Sequence, residues 1–104
     1  MYTYKARLNR VIDGDTVDLM VDLGFNVAIK IRVRLARIDT PKANTPEGKI
    51  STQFVKDLFE NSDYDCHLVS RKKGKWGRWI GEIEVDKGNI SDLLLDAMLA
   101  EKWG

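Results

Sequence analysis

Asp13, Asp15 and Asp39 are carboxylates at turns or strand ends, and Arg34 and Arg78 are two well-separated arginines. Together these residue types can hold a hard divalent cation and grip a phosphate. Asp13-Gly14-Asp15 places two carboxylates around a glycine turn, so one or both can aim at a common point. Asp39 ends an alternating stretch and supplies another. Cations such as calcium take oxygen ligands of this kind, with water and backbone carbonyls filling the shell. Arginine adds a planar, always-charged fork that suits phosphate oxygens. Phosphodiester hydrolysis needs both, because charge builds on the phosphoryl oxygens in the transition state and the attacking water must be oriented and activated. Lys42 stands where a third acid would be most useful. Each fragment alone is also ordinary: Asp-Gly is a good turn, Asp39-Thr40-Pro41 a common strand end, and a single arginine a common surface residue.

The elements that must position these groups follow from periodicity. Residues 4–12 read as a first strand ending at the Asp13-Gly14 turn. Val17, Leu19, Val21 and Leu23 alternate with Asp18, Met20 and Asp22 in a second strand, and Gly24-Phe25-Asn26 makes a hairpin turn. The third strand is the clearest. Val27, Ile29, Ile31, Val33 and Leu35 face the core, and Arg32 and Arg34 share the opposite face. Pro41 stops it, and residues 43–48 form a loop with two prolines nearby and a glycine. Ile50, Phe54 and Leu58, flanked by Val55 and Phe59, predict a helix near 49–61. Strands at 64–71 and 78–86 follow, separated by a basic loop. A last helix is marked by Ile90, Leu93, Leu94, Ala97 and Met98. Three strands, a helix, two strands and a helix fit a mainly β fold with helices, a five-stranded OB-fold barrel capped by a helix between strands three and four. An open α+β sheet is the alternative, since periodicity does not prove closure.

At 104 residues the chain suits one domain, residues 1–104, and 43% hydrophobic residues are enough for a core. It contains no apolar run of transmembrane length, and the N-terminus lacks the apolar block of a secretory signal. The expectation is a cytoplasmic protein that makes no membrane contact, secreted only if a leader has been removed. Cys66 is the only cysteine and His67 the only histidine, which excludes an internal disulfide and a Cys- or His-rich zinc site. As strand neighbours they point to opposite faces, so Cys66 reads as a small buried hydrophobe. A net charge of +1 announces no nucleic-acid binder, yet Arg71, Lys72, Lys73, Lys75 and Arg78 gather five cations and no acid. Trp76 and Trp79 flank Gly77-Arg78, where one ring can stack on a base and the other can cap the barrel. Trp103 is expected to pack against the barrel.

Three blocks stand in order: Val11-Ile12-Asp13-Gly14-Asp15-Thr16-Val17, Arg34-Leu35-Ala36-Arg37-Ile38-Asp39-Thr40-Pro41, and Lys75-Trp76-Gly77-Arg78. In these, and over nearly its whole length, the chain resembles the staphylococcal nuclease (thermonuclease) family, with a shortened C-terminus. The resemblance implies an OB-fold barrel and calcium-dependent hydrolysis of DNA and RNA; Mg2+ or Mn2+ remain options for the ion. It implies that Asp15 and Asp39 are carboxylate metal ligands and that Thr40 gives its backbone carbonyl. Arg34 and Arg78 then hold the phosphate and assist the leaving group, and Asp13 is an acid near the site.

The departure is Lys42, where active relatives carry a glutamate that manages the water. Lysine brings positive charge toward a cation site. Glu47, after the second Thr-Pro pair, is the candidate replacement if its loop folds back; otherwise it begins the helix, where negative charge suits the free amides. Two readings follow: an endonuclease-like monomer acting on single-stranded or flexible DNA or RNA, or a catalytically impaired nucleic-acid-binding module. A partner-binding OB-like domain without nucleic acid is a third.

Overall fold

The computed structural model describes residues 2–73 and 78–103. Its elements are β1 (Tyr2–Asp13), β2 (Thr16–Asp22), β3 (Ala28–Leu35), β4 (Ile38–Asp39), α1 (Pro46–Asn61), β5 (Asp65–Lys73), β6 (Trp79–Val85), β7 (Gly88–Asn89), α2 (Ile90–Asp96) and β8 (Glu101–Lys102). β2 pairs antiparallel with β1 and β3, β1 with β5, and β5 with β6. Parallel pairing of Val33–Leu35 with Trp79–Gly81 then joins β3 to β6 and closes a five-stranded barrel. This is OB-fold architecture, and the open-sheet alternative falls. Two irregularities in β1, between Leu8 and Arg10 and between Val11 and Asp13, add the bend that closure requires.

Alternation fills the barrel as its period dictates. Val17, Leu19, Val33, Leu35, Leu68 and Ile83 are buried inside, with Phe59 and Val55 of α1 and Ile90 and Leu94 of α2 packed onto the same core. Cys66 belongs to it, and burial pushes its thiol up to about 12, which makes it a packing residue rather than a nucleophile.

Several boundaries differ from the periodic reading. Val27 and Ile29, on the core side of the alternation, are exposed, because β6 pairs with β3 only from Val33 onward and no described residue covers the outer end of the hairpin. α1 begins at Pro46, earlier than 49, with Thr45 as N-cap. Its buried face is Ser51, Val55, Leu58 and Phe59, whereas Ile50 is 58% exposed. The stripe is turned by Ser51, whose hydroxyl donates to the Leu99 carbonyl at 2.8 Å. α2 stops at Asp96; Ala97 caps it, and Met98 takes φ +59° and points to solvent. Among the described residues no helix is long and apolar enough to cross a membrane.

Candidate functional site

The Asp13-Gly14-Asp15 turn joins β1 to β2 beneath α1. A Cβ on Gly14 would lie 2.8 Å from Ser51 Cβ and 2.9 Å from Thr40 Oγ1, so glycine lets the helix and Thr40 close over the turn. Asp15 is 7% exposed. Its Oδ1 accepts from the Thr16 hydroxyl at 3.0 Å and its Oδ2 from the Thr40 amide at 3.1 Å. Asp13 Oδ1 accepts the Asp15 amide at 3.0 Å. Burial pushes the Asp13 carboxyl up to about 6, helped by hydrogen bonding with Asp15 and by its charge. Burial pushes Asp15 the same way but is outweighed. Hydrogen bonds with Asp13, the Thr40 amide and Thr16, with the Arg34 charge, hold it below the ordinary carboxylate range. The two neighbouring carboxyls are thus shifted in opposite directions, Asp13 upward and Asp15 downward.

Arg34 and Asp39 complete the corner. β3 ends at Leu35, and the chain reverses through Ala36 and Arg37, bringing Ile38 and Asp39 back beside Arg34. Arg34 Nη1 donates to the Ile38 carbonyl at 3.2 Å, and Nη2 to Asp39 Oδ1 at 3.0 Å. The same Nη2 lies 3.6 Å from Asp15 Oδ2. Two carboxylates therefore converge on one point, and the arginine fork stands there with its side chain only 14% exposed. The Thr40 hydroxyl oxygen is buried against this corner without a hydrogen-bond partner among the described residues.

The other expected site residues are placed less directly. Arg78 is half-buried immediately before Trp79, which pairs with Val33, so it enters beside the strand that carries Arg34. Lys42 is exposed, and its carbonyl accepts from the Thr45 amide and hydroxyl at 3.0 and 2.7 Å. Glu47 is exposed in the first turn of α1, where its charge faces the free amides. It makes no side-chain hydrogen bond or ion pair among the described residues. Trp79 packs on the core and lines a hollow of about 290 Å3 with Tyr4 and Ile31, so it is the barrel-cap tryptophan. Lys75 and Trp76 lie outside the described residues. No group of three or more His, Cys, Asp or Glu side chains stands at metal-holding distance among the described residues.

The chain is similar to nucleases. An "Uncharacterized endonuclease" of Escherichia coli O157:H7 is 28% identical over 93 residues, 88% of this chain and 56% of the relative. Its counterpart in Escherichia coli matches to the same extent. A "Micrococcal nuclease" of Shigella flexneri is 29% identical over 80 residues, 77% of this chain and 42% of the relative. The chain thus spans about half the length of the curated relatives it matches. No family model matches it. With the closed barrel, these matches establish similarity to staphylococcal and micrococcal nucleases at the level of the family.

Two parts of this corner have no counterpart in the sequence pattern. Trp103 lies against the outside of the barrel with 55% of its surface exposed, and Arg34 Cζ is 4.8 Å from its ring centroid, a cation–π distance. β8 brings it there by pairing Lys102 with Ile38 and Glu101 with Asp39, while the Trp103 amide donates to the Arg37 carbonyl at 2.8 Å. Arg37 itself sits at φ +71°, a conformation that costs a non-glycine residue about 1 kcal/mol or more. Its guanidinium holds the reversal in place. Nε and Nη2 donate to Glu82 at 2.8 and 3.0 Å, and Nη2 also reaches Asp92 at 2.9 Å.

Arg71, expected as a free loop cation, also binds Glu82, 3.1 Å away, because β5 runs on to Lys73. Glu82 is buried, which would raise its carboxyl, but Arg37, Asn89 and Arg71 outweigh this and hold it below its ordinary 4.5. A depressed carboxylate contributes stability above its unfolded value that is lost as pH falls through the folded one. Glu82→Gln should cost about 2 kcal/mol at neutral pH, less than a fully buried pair because both arginines are half-exposed. The gap to the parent should narrow below pH 4.5 in urea melts. A constant gap from pH 7 to pH 3 would contradict this role.

Proposed function

We propose that this chain is a nucleic-acid-binding OB-fold domain whose Arg34 corner grips a backbone phosphate of a flexible single strand. One observation carries the reading: a guanidinium held in a fixed pose by Asp39, the Ile38 carbonyl and the Trp103 ring, with Asp15 Oδ2 3.6 Å from the same Nη2 that meets Asp39. A fork fixed in advance loses little entropy when it meets a phosphate. The half-exposed Trp103 beside it offers an unpaired base a surface to stack on. The names of the relatives agree with a nucleic-acid ligand.

A second reading, cleavage of the bound strand, is favoured by the convergence of Asp15 and Asp39 on one point. Their oxygens suit a hard divalent cation in kind, with calcium first and magnesium or manganese as options. Asp15, Asp39 and the Thr40 carbonyl would hold it, with water and phosphate oxygens needed to complete so small a donor set. When bound, such an ion polarises the phosphoryl oxygen and lowers the pKa of a coordinated water. Arg34 and Arg78 spread the charge gathering on the phosphate, and Glu47 is the carboxylate offered for the water's proton. Lys42 supplies a phosphate contact instead.

Denatured DNA should bind in EDTA with an affinity that falls steeply with salt. Absence of any binding overturns the proposal. In calcium, Lys42→Glu should raise the cleavage rate at least tenfold if the missing acid limits turnover. No gain in a parent that already cuts assigns the water to another group, Glu47 first. No cleavage by either protein in calcium, magnesium or manganese leaves a binding module.

A further inference from the structure

The outer face of the barrel continues from Arg34 as a strip of cations. On β3, alternate residues share a face and stand about 7 Å apart, close to one step of an extended nucleic-acid backbone. Arg34, Arg32 and Lys30 occupy these positions in order. Strand register sets Asp18 between Arg32 and Arg10, and Met20 between Lys30 and Arg7. Asp18 is only 5% exposed although it faces outward, because the Arg32 fork lies across it with Nε and Nη2 donating at 2.8 and 3.1 Å. Arg32, followed by Lys30 and Arg10, holds the Asp18 carboxyl below its ordinary range, so all three cations gather around one covered anion. Arg7 is tied to Asp65 at 2.8 Å, and Met20 lies between it and Lys30, 37% exposed. Asp18 is covered by Arg32, Asp65 is paired with Arg7, and the exposed Asp22 bounds the strip at its hairpin end, so the uncovered charge between these acids is positive.

We infer that Arg32, Lys30 and Arg10 form a track for the phosphates flanking the one held at Arg34, with Met20 as an apolar rest for a sugar or base. This rests on the nucleic-acid reading and adds the path of the strand, along the outer face of β3 toward the β2–β3 hairpin. Asp18 fixes the pose of Arg32 and leaves Lys30 and Arg10 free to contact phosphate.

The test compares a 5′-phosphorylated dithymidylate with the corresponding octathymidylate in EDTA. The parent should bind the longer strand more tightly. Arg10→Gln with Lys30→Gln removes two contacts and leaves the Asp18–Arg32 pair intact. At about 0.1 M salt each contact is worth roughly fivefold, so octamer affinity should fall about 25-fold and the salt slope flatten by about 1.4. Dithymidylate, whose second phosphate reaches only the Arg32–Arg10 step, should lose no more than about fivefold. Lys56→Gln with Lys87→Gln, at exposed positions on other elements, removes the same charge and should leave the octamer unaffected. Unchanged octamer affinity and slope in the Arg10/Lys30 variant overturn the track, as does an equal loss in the Lys56/Lys87 control. If the parent binds neither oligonucleotide, the phosphate corner itself fails, and the track with it.

Discussion

Arg34→Ala should weaken binding of a 5′-phosphorylated dithymidylate about 100-fold in EDTA while the barrel stays folded. The figure corresponds to about 3 kcal/mol, the scale of two charge-assisted hydrogen bonds from one fork. Arg34 also neutralises Asp15 and Asp39, and its loss leaves two carboxylates facing each other at the bottom of the site. Asp15 then loses one of the interactions that hold its carboxyl low, so its titration should move upward. Arg34→Lys separates charge from geometry. A lysine keeps the sign but cannot donate in parallel from a planar fork, so it should recover only part of the affinity. The part of tryptophan emission that a Trp103→Phe variant removes gives an independent readout, because that ring loses its neighbouring cation in Arg34→Ala. Affinity within twofold of the parent would show that Arg34 serves the carboxylates and not the ligand.

The pieces of this corner were legible where their causes are local. A glycine between two aspartates forces a turn, and strict alternation through Leu35 puts Arg32 and Arg34 on one face. Their convergence depends on contacts that no local pattern encodes. Asp15 meets Thr40 only because the chain reverses at Arg37, and that reversal rests on Glu82 and Asp92, far along the chain. β4 and β8 are two residues each, too short to carry a period, so the pairing that delivers Trp103 to Arg34 left no trace in the alternation. The start of α1 is a different case. Thr45-Pro46-Glu47 carries an N-cap, a first-turn proline and a first-turn acid, yet the prolines and glycine read together as loop. The rotated face of α1 was also hidden, because a serine marks its centre and an isoleucine lies outside it.

Gly48→Ala should destabilise the protein by about 4 kcal/mol or more, the range reserved for a backbone collision that the structure cannot absorb locally. A Cβ at Gly48 would lie 1.7 Å from the Lys42 carbonyl oxygen and 2.4 Å from its carbon. Backbone must move, and little of it is free to do so. The Lys42 carbonyl is bonded to both the amide and the hydroxyl of Thr45, whose hydroxyl also accepts the Gly48 amide at 3.0 Å. Relief therefore means either unwinding the first turn of α1 or pushing residues 40–42 outward. The second route drags the Thr40 amide away from Asp15 and loosens the corner as well as the fold. Helix propensity works in the opposite direction, since alanine in place of glycine within a helix gains up to about 1 kcal/mol. The two effects have opposite signs, so a urea melt of one variant decides between them. A stabilised Gly48→Ala protein would mean that the loop after Asp39 is free to yield, and that Lys42 and Glu47 are not held in a fixed relation to the phosphate corner.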